Sequence, residues 1–87
     1  MKIEFPDQMK YKIASPEVLA FEVFVDGQPI WCEISGTALL QHFGAQSTSE
    51  SDMLRAFRNG RARIEATTRR RLEESADQRV FLLGADF

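Results

Sequence analysis

Val18-Leu19-Ala20-Phe21-Glu22-Val23-Phe24-Val25-Asp26-Gly27-Gln28-Pro29-Ile30-Trp31-Cys32-Glu33-Ile34-Ser35 decides the fold. Leu19, Phe21, Val23 and Val25 alternate with Ala20, Glu22 and Phe24, the period-two pattern of a half-buried strand. Asp26-Gly27 supplies the dipeptide of a two-residue type I′ turn, because both central positions need positive φ. Such a loop pairs Val25 with Gln28. Val23 then faces Ile30, Phe21 faces Cys32 and Leu19 faces Ile34, so one side of the hairpin collects nearly every aliphatic residue. The other side carries Phe24 with Pro29, Glu22 with Trp31 and Ala20 with Glu33. Turn chemistry and patterning agree on one register.

C-terminal to the hairpin, Ser35 is placed as the N-cap of a short helix from Gly36 to Phe43. Ile34 and Leu39 stand at the two positions of a hydrophobic staple, and Gly44 fits the C′ residue that ends it. Ser47-Thr48-Ser49-Glu50 reads as a capping box, with Ser49 a competing cap. From there to about Ser75 a helical pattern places Met53, Phe57, Gly60, Ile64 and Thr68 on one narrow stripe. The pattern reads as one long helix bent at Gly60, with close packing against the sheet accounting for the glycine. A first helix ending at Asn59-Gly60 is the alternative.

The polar stretch Glu73 to Gln78 should turn the chain, and Arg79 to Leu83 reads as a final strand. At the other end, Lys2 to Phe5 and Met9 to Ile13 are each short enough and apolar enough to be a strand, punctuated by Pro6-Asp7 and Ser15-Pro16. Residues 1–87 therefore form one α+β domain in two layers. The expected sheet is antiparallel, built from the hairpin, the C-terminal strand and an optional N-terminal strand, with two helices on its apolar face.

Composition narrows the function classes without choosing one. The chain has 87 residues, 44% of them hydrophobic and 28% charged, with a net charge of −2. That is a globular composition with no global positive field. Its one cysteine, Cys32, permits no intrachain disulfide and no cysteine zinc cluster. No apolar run approaches the ~20 residues of a membrane span, and the charged, proline-broken N-terminus is not a signal peptide. A cytoplasmic protein is expected.

Two surfaces are candidates for function. Seven arginines fall between Arg55 and Arg71 against one acid, Glu65. On a single helix, Arg55, Arg58 and Arg69 cluster opposite the apolar stripe with Arg63 and Arg70 to one side. This makes a ridge roughly 20–25 Å long that could contact nucleic-acid phosphates. The plainer reading is a solvated face, in which Arg61–Glu65, Arg69–Glu73 and Arg70–Glu74 pair at i,i+4 and basic residues complement the helix dipole. Asp86 or the terminal carboxylate would neutralise the ridge further by pairing with its arginines. The second surface is Phe24 with Trp31, diagonal neighbours on the hairpin's non-helical side. They suit a protein partner or a homodimer, unless residues 1–16 fold over them through Met9, Tyr11 or Ile13. Cys32 and His42 are the only nucleophile-and-base types. Cys32 lies on the core side, and no third residue orients His42. Without a Gly-rich phosphate loop, paired carboxylates or metal-ligand spacing, no enzyme activity and no cofactor are expected.

The string Asp26-Gly27, Cys32-Glu33-Ile34-Ser35, Ala38-Leu39 and His42-Phe43-Gly44-Ala45 resembles a small proteobacterial family. So do Ala56-Phe57-Arg58, Arg61-Ala62-Arg63-Ile64-Glu65-Ala66, Leu82-Leu83 and Ala85-Asp86-Phe87. That family is classed as a domain of unknown function, number fourteen eighty-eight, and consists of short stand-alone proteins. The resemblance implies a compact α+β form and brings no catalytic residue or cofactor. Asn59-Gly60 departs from the family pattern, where helix formers are usual, and this bears on helix straightness. The leading expectation is a non-enzymatic protein-interaction or accessory module, with nucleic-acid binding through the arginine-rich helix as the alternative.

Overall fold

The computed structural model describes residues 1–74 and 79–87. The hairpin forms in the expected register, β3 (Val18–Val25) against β4 (Gln28–Ser35), with Val25 opposite Gln28 and Leu19 opposite Ile34. Asp26 at φ 52° and Gly27 at φ 82° make the turn, which an Asp tolerates and a Gly adopts freely. Inward-facing Leu19, Phe21, Val23, Cys32 and Ile34 are all fully buried. Burying each large side chain contributes about 1.5–3 kcal/mol.

Both N-terminal segments become strands, and both extend the sheet beyond β3. β1 (Ile3–Glu4) pairs with the Phe24–Val25 end, and β2 (Tyr11–Ser15) with the Val18–Phe21 end. They lie beside β3 in the sheet, and Met9 and Tyr11, two of the side chains expected over Phe24 and Trp31, turn to the other side. Met9 is buried in the core, and the Tyr11 ring meets Phe57 edge-on at 5.3 Å on the helix side.

α1 (Gly36–His42) starts where the sequence places it, with Ser35 Oγ accepting the Ala38 N–H at 3.1 Å. Gly44 follows its end at φ 75°. Ser49 is the cap of the next helix, accepting from the Asp52 N–H at 3.3 Å. The expected single long helix is two: α2 (Glu50–Asn59) and α3 (Arg61–Glu74). Their junction is Gly60, which caps α2 at φ −104°, so left-handed backbone is not the reason for glycine. A Cβ there would overlap the Phe43 ring. The break lets α2 and α3 each lay a buried stripe on the sheet, Met53 and Phe57 from one, Ile64, Thr68 and Leu72 from the other. Close packing does explain the glycine, but against Phe43 and not against the sheet.

The largest departure is at the C-terminus. Only Phe81–Leu82 (β5) is strand, and it pairs parallel to β4, Glu33 beside Phe81 and Ile34 beside Leu82. The sheet is therefore mixed, with β1 and β2 on one side of β3 and the order β3-β4-β5 on the other. A parallel neighbour needs a long crossover, and α1, α2 and α3 lie between β4 and β5. A 3₁₀ turn at Gly84–Asp86 closes the fold. Residues 75–78, the rest of the expected polar turn, lie outside the described residues. The architecture is two layers, with α1, α2 and α3 sharing one core with the inner face of the sheet.

Candidate functional site

The described helices all pack on one side, and among the described residues no helix lies on the outer face of the sheet. Alternation from the buried residues assigns it Lys12 from β2, then Ala20, Glu22 and Phe24 from β3. It adds Pro29, Trp31 and Glu33 from β4 and Phe81 from β5. Trp31 is 38% exposed and Phe81 44%, while Phe24 is half-buried. The Lys12 ammonium lies 4.3 Å from the centre of the Trp31 ring, a cation–π contact. That side chain crosses over Ala20, which is 1% exposed although it faces away from the core. Beside Trp31 an open cleft of about 470 Å³ is lined by Glu33, Arg71, Arg79, Val80 and Phe81. The sequence singles out Phe24 and Trp31. It misses Phe81 and Lys12, because neighbours across β3 and across the parallel strand are set by long-range pairing.

The arginines are dispersed. The break at Gly60 puts Arg55 and Arg58 on a different helix from Arg63, Arg69 and Arg70. Arg55 is exposed and faces Asp52 at 3.8 Å, while Arg58 and Arg70 are exposed. Arg63 lies 5.5 Å from the centres of both the Phe43 and Phe87 rings. Arg69 covers Phe5 at 5.4 Å and reaches the Ile3 carbonyl at 3.5 Å. Arg61 bonds Glu65 and the carbonyls of Pro6 and Asp7. The Glu65 hydrogen bond, followed by burial acting the other way, shifts its guanidinium pKa upward. Arg71 donates to Asp86 Oδ1 at 2.8 Å, so the C-terminal pairing does form. Four of the seven therefore tie the chain's ends to α3.

Cys32 and His42 have separate settings. Cys32 is sealed in the core, where burial, reinforced by the charge of Glu33, pushes the thiol up to about 12. That leaves it a protonated, inert apolar group at neutral pH. His42 is exposed at the end of α1, its ring 5.9 Å from that of Phe87. Among the described residues no three His, Cys, Asp or Glu side chains gather as a metal site would require. None of the described helices is long and apolar enough to cross a membrane.

Residues 3–82 match the family described as a protein of unknown function, DUF1488. The chain belongs to this family. Neither the curated proteins nor the solved structures compared with it contain a significant match. The DUF1488 match spans every strand and helix from β1 to β5, so the outer face is built wholly from family-matched sequence.

Proposed function

We propose that this DUF1488 chain is a non-enzymatic, cytoplasmic protein-interaction module that docks through the outer face of its sheet. The observation that carries the reading is the exposure of Trp31 and Phe81 together on a face that none of the described helices covers. Aromatic side chains with apolar bodies are the residues that dominate protein contacts once desolvated. The face also states its partner's chemistry. It asks for a patch with an apolar centre to meet Trp31 and Phe81. The arginine face is less suited to nucleic acid than the sequence suggests, since Arg61, Arg63, Arg69 and Arg71 are spent on internal contacts.

The test places a photo-crosslinking residue at Phe81 in one variant and at Arg58 in another, with irradiation in the producing cells. Protein adducts from position 81 and none from position 58 are expected. No adduct from position 81, or nucleic-acid adducts from position 58, would overturn the reading.

A further inference from the structure

β1 and β2 are two halves of one edge strand, parted by an excursion. Glu4 pairs with Phe24 and Tyr11 with Phe21, so six residues, Phe5 to Lys10, run beside only Glu22 and Val23 of β3. Extra residues of this kind in an edge strand occur at sheet rims and beside functional sites, where they re-aim side chains. Here the excursion is tied down. Arg61 donates to the Asp7 carbonyl at 3.1 Å and to the Pro6 carbonyl, Arg69 covers Phe5, and Met9 is buried in the core. Between the excursion and the α2–α3 junction lies an open cleft of about 530 Å³, lined by Asp7, Gln8, Met9, Tyr11, Arg58 and Arg61. That is the volume of a small-molecule site.

The backbone of the excursion is satisfied, but the polar side chains around the cleft are left over. Among the described residues, the Arg58 guanidinium, the Asp7 carboxylate, the Gln8 amide and the Tyr11 hydroxyl have no hydrogen-bond or ion-pair partner. Arg58 and Asp7 are exposed and line the same cleft without pairing with each other. Glu65 is already taken by Arg61. A plain anion drawn to Arg58 therefore meets the charge of Asp7. A plain cation drawn to Asp7 meets Arg58 and Arg61. A ligand with both charges satisfies both residues, and Met9 and the Tyr11 ring give its carbon chain an apolar contact.

We infer that this cleft binds a small amino-acid zwitterion, its carboxylate held by Arg58 and its ammonium by Asp7. A guanidinium fork suits a carboxylate because two N–H groups can donate to it in parallel. The Tyr11 hydroxyl can donate to the same carboxylate, and the Gln8 side-chain oxygen can accept from the ammonium. The Tyr11 ring turns to the helix side, so the site is separate from the Trp31–Phe81 face and goes beyond the docking role. Ion pairs in so open a cleft are screened by water, and affinity of roughly millimolar order is expected.

The experiment is a heteronuclear NMR titration of the purified chain at pH 7 with glycine, β-alanine, γ-aminobutyrate and 5-aminovalerate. This series widens the separation of the two charges step by step. Butyrate and butylamine carry one charge each and serve as controls. The best-spaced zwitterion should give saturable amide shifts at Gln8 to Tyr11 and at Arg58, with half-saturation below about 10 mM. Each control should bind at least fivefold more weakly. Arg58→Gln and Asp7→Asn should each weaken the zwitterion at least fivefold with an unchanged circular dichroism spectrum, because neither side chain holds the fold. Asp7→Asn should also narrow the gap between zwitterion and butyrate, since the carboxylate that repels butyrate is gone. No saturation by any of the four zwitterions up to 50 mM would overturn the inference. Butyrate binding as tightly as the best zwitterion would do the same, by marking a simple anion site. Binding indifferent to both substitutions would place the ligand elsewhere and sink the inference too.

Discussion

The same two strands present two unlike faces. On the inner side, Phe21, Val23, Cys32 and Ile34 have no exposure, and Phe57 of α2 lies 4.9 Å from the Phe21 ring. On the outer side Trp31, the residue before Cys32 on β4, remains open to solvent, as does Phe81 of the neighbouring β5. Aromatic content does not separate the faces; coverage does. The inner face is where folding free energy is gained, whereas the outer face keeps apolar area that folding of one chain leaves unburied. Large apolar side chains left unburied in so small a domain suit later association.

The contrast is open to breakage at several points. The strongest effect is expected from Phe57→Ala, which removes the ring shared by Phe21 and Tyr11 and leaves a core cavity. It should cost about 3–5 kcal/mol in urea unfolding, with a fall of more than about 12 °C in melting temperature. A loss below about 1 kcal/mol would erase the distinction between faces. Gly60→Ala comes next. Alanine favours the helix by up to about 1 kcal/mol, yet its Cβ meets the Phe43 ring, and such overpacking costs about 1–3 kcal/mol. Net destabilisation is expected, with recovery when Phe43→Leu is added; a stabilised Gly60→Ala would show that the ring yields freely.

A pH series sharpens the inner face. The folded chain holds the Cys32 proton to about 12, whereas the unfolded chain releases it at the ordinary value of 9.0. Between those values the unfolded state binds fewer protons, so stability falls as pH rises, by up to about 1.4 kcal/mol per unit from this group. Unfolding free energies of wild type and Cys32→Ala from pH 8 to 11 should diverge in slope above 9; parallel curves would mean an accessible thiol. The smallest effect belongs to the outer face. Trp31→Ala and Phe81→Ala should each change stability by within about 0.5 kcal/mol. A loss comparable to that of Phe57→Ala would make the outer face a second core.

What the sequence by itself determined is what neighbouring residues decide among themselves. Asp26-Gly27 fixes a turn, the turn fixes a register, and the register tells which side of β3 and β4 is apolar, naming Phe24 and Trp31 as the outward aromatics. Ser35 and Ser49 announce their helices because a cap acts within one turn. Tertiary structure alone decided the rest. The parallel course of β5, the placing of Phe81 beside Glu33 and of Lys12 over Trp31, and the use of Arg61, Arg63, Arg69 and Arg71 as internal ties all join segments far apart in the chain. The division of α2 from α3 belongs with them. Periodicity runs through Gly60 unbroken, and only the Phe43 ring, delivered by another helix, requires the residue without a side chain.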